Sequence, residues 1–350
     1  MHPLSVWHQR IDLAPTHPDS ATMIQTLADE GGFGFGRMQI DFSMHILYAD
    51  DSTPTSQLIQ IPGDSYYLPD CEPLGTAVPL PPGGAIEGET GYSCDNNSGD
   101  CHLLVVRGVE LFEVYRANVT ASGVEGQCLA LWRRDGLYPP EGRGEHCTSA
   151  DAAGFPIAPL LFNADEVAAA VAQPDGDLGH AIRFILPNAR MASDASLGGV
   201  AGRLYVRPAS HAGGPSGPVG SVPYGARLRL RSDFPMAGYN PAARVILRTM
   251  QRYGMVLSDG GNVALTAESD RYTSTDWSSL DIHSRVFDQS PGDPVTVSDF
   301  EVIDTGPRIA ETYECVRAQP SLDPLFFDRF EPVSTVTGWW RGSQKLLMLD

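Results

Sequence analysis

The sequence predicts a mainly β fold, an antiparallel β-sandwich of jelly-roll type with one or two short helices and an extended N-terminal arm. Three observations predict it. Short runs of strand-forming residues recur between Gly, Pro, Asn and Asp turns at a density that suits a sandwich or barrel more than alternating βα units. Several of these runs alternate apolar and polar residues, the period of a strand. Six cysteines, Cys71, Cys94, Cys101, Cys128, Cys147 and Cys315, form an even set without a CxxC pair, which favours a disulfide framework over zinc or thiol redox chemistry.

Residues 1–90 are rich in Pro, Gly, Asp and Ser, hold one longer extended segment at 38–48, and read as an arm that wraps the same domain. The stretch 79–84 is a rigid, turn-rich connector. Residues 91–305 form the sandwich core, with strands expected at 103–106, 111–115, 129–133, 181–186, 204–206, 227–231, 255–258 and 263–267. Residues 306–350 are read as a C-terminal extension. One helix begins where Asn240 caps and Pro241 suits the first turn; Val245, Ile246, Thr249, Met250 and Tyr253 share a face, and Gly254 closes it. A shorter helix at 164–172 has Asn163 as its cap, with Asp165 and Glu166 in its first turn, where acids favour the helix dipole. Segments 191–202 and 213–220 are loops within the domain, and no internal repeat is found.

A formal charge of −19 and a pI near 4.7 repel phosphate backbones and anionic lipid, so neither nucleic acid nor a membrane is expected as a partner. Lys345 is the only lysine, which leaves nearly all positive charge on guanidinium groups that cannot deprotonate and that bind carboxylates bidentately. No stretch approaches the roughly 18 apolar residues of a membrane helix. No charged segment followed by an apolar one opens the chain, so the expectation is a secreted, monomeric protein whose export signal is not in this sequence. Cys94 and Cys101 flank the polar turn 95–100 and Cys128 and Cys147 flank another loop, which suggests two local disulfides and, by elimination, a third between Cys71 and Cys315. That turn also carries calcium-type oxygen ligands but lacks EF-hand spacing, so it is read as a tight disulfide-closed turn. No cofactor is expected, structural calcium being the one alternative.

Alternation places Arg203, Tyr205 and Arg207 on one strand face, Arg227, Arg229 and Arg231 on another, and Glu113 with Tyr115 on a third. A polar sheet face bearing Tyr115, Arg203, Tyr205, Arg207, Arg227 and Arg229 suits a polysaccharide, because tyrosine planes stack on sugar rings and arginines hold hydroxyls or uronates. A solvated outer face of a sheet would alternate identically. Glycoside hydrolysis needs a carboxylic acid and a second carboxylate. Glu87, after the rigid connector, and Glu113 are the preferred pair and Asp151 is third, although Asp151 also suits a turn beside Ser149. Among His102, His180 and His211 no HxH or HExxH spacing exists, and only His211, in a loop, is kept as a functional residue. There is no GxSxG elbow and no phosphate-binding glycine loop; 31–36 reads as an aromatic-glycine turn.

The motifs Cys101-His102-Leu103-Leu104-Val105-Val106, Leu111-Phe112-Glu113-Val114-Tyr115, 148–157, Asp165-Glu166-Val167, His180-Ala181-Ile182-Arg183-Phe184 and Arg252-Tyr253-Gly254-Met255-Val256 resemble those of a group of exported bacterial proteins without an assigned activity. The resemblance runs from Trp7 to about residue 305. This chain departs from it by its extra cysteines and by Ser258-Asp259-Gly260-Gly261. The segment 325–331 looks like a short tail seen on other exported bacterial proteins. The resemblance implies export and assigns no catalytic residue. The sequence therefore predicts a secreted glycoside hydrolase acting on a polysaccharide. The alternatives are a lyase, in which arginines neutralise a uronate and Tyr205 or His211 takes the proton, and a non-catalytic carbohydrate-binding or cell-surface protein.

Overall fold

A computed structural model describes residues 1–96, 98–288 and 293–322. The expected tail at 325–331 lies outside the described residues. The chain is mainly β, with three α-helices among the described residues. The expectation of antiparallel pairing needs correction, because the sheets are mixed.

The largest sheet has six strands in the order Ile40–Met44, Leu265–Glu268, Ile182–Leu186, Met255–Gly260, Arg227–Leu230 and Phe300–Val302. Its first pair and its central pair are parallel. A four-stranded sheet runs Ile46–Ala49, Leu103–Arg107, Glu110–Tyr115 and Cys128–Arg133, and a second runs Ala77–Pro79, Thr55–Gln60, Gly123–Gly126 and Asn118–Thr120. Each of the three thus takes a strand from residues 40–60, within the segment read as an arm.

Helix α1 (Ser20–Asp29) is not expected from the sequence. Its apolar stripe is only Met23, Ile24 and Leu27, and Asp19 makes no side-chain cap. Those three side chains join Ile40, Phe184, Leu265 and Phe300 in the main apolar cluster, so tertiary burial offsets its weak local signal. Helix α2 (Ala164–Val171) begins with a reciprocal capping box between Asn163 and Glu166. In helix α3 (Pro241–Arg252) Asn240 Oδ1 accepts from Ala243 N at 2.8 Å. Gly254 closes α3 at φ +74°, where an added Cβ would lie 2.7 Å from the Leu228 carbonyl, so glycine is required on both counts.

Three disulfides join Cys94 to Cys101, Cys71 to Cys128, and Cys147 to Cys315. The first agrees with the local expectation. The other two differ, because strand Cys128–Arg133 brings Cys128 beside the 66–71 loop, and the pairing of Gly144–Glu145 with Val316–Arg317 brings Cys147 to Cys315. No described helix is long and apolar enough to cross a membrane.

Candidate functional site

One face of the six-stranded sheet builds the floor of a cavity of about 700 Å³. Ile40, Leu265 and Phe184 lie in register and point into the apolar core. Period-two alternation then turns Asp41, Thr266 and Arg183 to the opposite face, side by side on three neighbouring strands. A register shift between Phe184 and Ile185 skips Ser258 and sets Asp259 opposite Ile185, so a β-bulge aims Asp259 into the cavity.

The walls come from loops. Glu87 and His102 stand at the entry of the Leu103 strand, where Glu87 N donates to His102 O and Gly88 N to Ser43 O. The 148–155 loop supplies Asp151; Ser149 Oγ accepts from Asp151 N at 3.0 Å and donates to Phe155 O at 2.6 Å. Gly154 sits at φ +78° and packs so closely that a Cβ would lie 2.1 Å from Ser210 Oγ. Tyr66, Tyr67, Tyr115 and Tyr313 also line the cavity.

Arg183 and Asp151 form a buried ion pair at 2.5 Å, and the other Arg183 amine donates to Thr266 Oγ1 at 3.0 Å. Asp259 Oδ2 lies 3.9 Å from the amine that Asp151 holds. Burial raises the Asp151 carboxyl and Arg183 pulls it back down, and its Oδ2 has no hydrogen-bond partner. Burial also raises Asp259.

His102 has acceptors at both ring nitrogens, Glu87 Oε2 at 2.7 Å and Ala150 O at 3.1 Å, so both nitrogens carry hydrogen and the ring is an imidazolium. The Glu87 charge lifts His102 to about 9 despite its burial. In return, His102 outweighs burial and holds Glu87 below the usual carboxylate range. Ser43 Oγ stands between Glu87 Oε1, at 3.3 Å, and Asp41 Oδ2, at 2.8 Å. Burial, reinforced by the neighbouring Glu87, raises Asp41. His211 Nδ1 donates to Ala152 O at 2.7 Å, which leaves Nε2 as the basic nitrogen, and burial lowers its pKa to about 4. Its ring packs on Tyr313, and Arg203 lies over the same tyrosine.

Of the residues singled out from sequence, Glu87, Asp151, His211, Tyr115 and Arg203 line this cavity. Glu113 does not. Its strand is buried on both faces, and its carboxylate accepts from Trp132 Nε1 at 3.0 Å and from Ile157 N and Ala158 N at 2.8 Å each. The shared polar sheet face also dissolves on inspection of its arginines. Arg227 is buried and donates to the carbonyls of Tyr253, Val6 and Gln9, while Arg229 holds Glu301 and the carbonyls of Ile11 and Ala14; both clamp the N-terminal segment. Tyr205 and Arg207 both bond Glu145, outside the cavity lining. The 95–100 turn folds over Glu89, which accepts from Asp95 N, Asn96 N and Asn96 Nδ2.

Sequence reasoning missed Asp41, Arg183 and Asp259. A signal existed for the first two: Asp41 alternates with Met38, Ile40 and Met44, and Arg183 is a lone charge between Ile182 and Phe184. Comparison with family models, with curated proteins and with solved structures finds no match to this chain.

Proposed function

We propose that the protein is an exported β-sandwich glycoside hydrolase that cleaves a polysaccharide, with Asp41 as general acid and Glu87 as the second carboxylate. The observation that carries this reading is the arrangement of both carboxyls around one hydroxyl. Ser43 has a single proton to give, so with Asp41 and Glu87 both ionised one of them would face a lone pair. His102 keeps Glu87 ionised, and a proton on Asp41 completes the chain. Two neighbouring carboxyls pushed in opposite directions are the condition for dividing acid and base roles.

Asp41 donates its proton to the glycosidic oxygen as the bond to the anomeric carbon breaks and Glu87 bonds to that carbon from the other side; a water that gives its proton back to Asp41 then displaces Glu87 and releases the sugar. The distances to Ser43 cap the separation of the two facing oxygens below the roughly 6.5 Å at which the inverting geometry begins, so retention of configuration is expected. Tyr67, which lines the cavity and is more than a third exposed, offers a stacking plane for a sugar ring. Three disulfides support the exported setting.

Incubation with neutral, amino and uronate polysaccharides, following reducing ends and ultraviolet absorbance, tests this reading. Reducing ends without absorbance, lost by about a hundredfold or more in Asp41→Asn and Glu87→Gln with thermal unfolding unchanged, support it. Wild-type turnover in both variants refutes the assignment. The lyase reading has one observation in its favour, the neutral His211 ring with Nε2 available as a base. It predicts an absorbing product that survives Asp41→Asn and disappears in His211→Gln. Five carboxyls besides the proton-bearing Asp41 line the cavity against Arg183, Arg203 and the His102 cation, a balance that opposes a polyuronate. Binding of a polymer with no product would favour the non-catalytic carbohydrate-binding reading.

A further inference from the structure

We infer that Asp151 and Asp259 form a subsite for an ammonium group, and that the substrate is a polysaccharide carrying free amino sugars. Its cleavage rests on the hydrolase reading; its binding does not.

Two carboxylates share one guanidinium here. Arg183 satisfies Asp151 Oδ1 at 2.5 Å and reaches Asp259 only at 3.9 Å. Asp151 Oδ2 is buried without any donor. A buried carboxylate oxygen left unpaired is costly, and a donor brought by a ligand removes that cost. Asp259 Oδ1 accepts only from its neighbour's backbone, Gly260 N, at 2.7 Å, and the side chain is about a quarter open to the cavity at 28%.

The surroundings reinforce a cationic ligand. Asp70 lines the same cavity, accepts from Thr148 N at 2.8 Å, and among the described residues has no ion pair. His102 is held by Glu87, Arg203 by Tyr313 and the Gly213 carbonyl, and the Arg183 amines by Asp151 and Thr266, although the Arg183 Nε has no partner. A metal ion fits less well. It needs several ligand atoms converging on one point, and among the described residues the one such convergence of acid, histidine or cysteine atoms lies elsewhere, at Glu89, Cys94 and Cys101, where both cysteines are disulfide-bonded. An ammonium needs fewer acceptors than a metal ion and holds them at longer, hydrogen-bond distance, so two carboxylates can hold it.

The test is calorimetric titration of the full, disulfide-bonded chain with oligomers of glucosamine and of galactosamine, each beside its N-acetylated form. The expected result is binding of at least one free-amine oligomer about tenfold or more tighter than its acetylated partner, with the gap narrowing as salt rises and vanishing in Asp259→Asn. Asp151→Asn, which keeps the shape of the buried side chain, serves if Asp259→Asn fails to fold. Equal or tighter binding of the acetylated forms, no binding of either amine series, or a gap that persists in the variants overturns the subsite. Amine-selective binding without product sustains the subsite and sinks the hydrolase reading. Cleavage of neutral glycans without amine preference does the reverse.

Discussion

Removing the guanidinium of Arg183 by Arg183→Met leaves Asp151 at the bottom of the cavity with no cation. Both side chains are almost fully enclosed, at 4% and 0% exposure, so water screens the pair very little. Breaking such a pair by deleting one partner typically costs about 3–5 kcal/mol, because the surviving charge stays buried. Asp151 can limit that loss by taking up a proton, because burial favours its neutral form and Arg183 is what opposes this. Arg183→Met should therefore cost about 3 kcal/mol, the lower end of that range. Asp151→Asn should cost about 1–2 kcal/mol, since Asp259 stays to balance Arg183 and the amide can still accept from it. In the double variant no buried charge remains unmatched between the two positions, and the summed single losses should be recovered by about 1–3 kcal/mol of coupling. Urea unfolding with the disulfides intact measures all three. A loss below about 0.5 kcal/mol in Arg183→Met, or strict additivity, would refute the claim that this pair is a closed buried unit.

Other perturbations give separate readings. Two histidines should contribute pH dependences of opposite sign. His102 is raised from 6.5 to about 9, so its contribution is complete below 6.5 and lost as pH climbs through 9; His211 is lowered to about 4, so its contribution is lost as pH falls from 6.5 through 4. The difference in melting temperature between the wild type and His102→Asn should therefore shrink as pH climbs through 9, and a difference that stays constant would refute the His102 assignment. Gly154→Ala should destabilise by about 2 kcal/mol or more, read by thermal unfolding, because it combines a left-handed backbone with a Cβ driven into Ser210 and the Cys147 carbonyl. The paired change Cys147→Ser with Cys315→Ser should cost about 2–5 kcal/mol and raise KM more than it lowers kcat, since it frees the segment carrying Tyr313. An unchanged KM would place Tyr313 outside substrate binding.

Local chemistry was the legible part of this sequence. Asn163 with Glu166, and Asn240 with Pro241 and Gly254, mark helix ends through bonds spanning three or four residues, and both helices form there. The strand runs from 103 to 267 also form, because apolar alternation and turn residues mark them locally even though their partners are distant. What could not be read is which strands meet. Cys71 finds Cys128 through strand pairing, and Asp259 reaches the cavity through a bulge, neither of which leaves a local mark. Glu113 and Arg227 show the converse. Alternation correctly puts each on the side away from its neighbours, but a second layer covers that side, and the polar groups turn to hold backbone N–H and carbonyl groups.

The Ile40–Met44 strand lies beside Leu265–Glu268, and Ile46–Ala49 beside Leu103–Arg107, so chain that is made early waits for partners made late. Contact order is correspondingly high, and the loop-closure entropy of joining these strands must be met before the largest sheet gains its edge. Asp41 is carried on that edge. Slow assembly thus falls on the step that completes the cavity, and a nascent chain with this topology lacks the cavity floor until the Leu265–Glu268 strand has been synthesised.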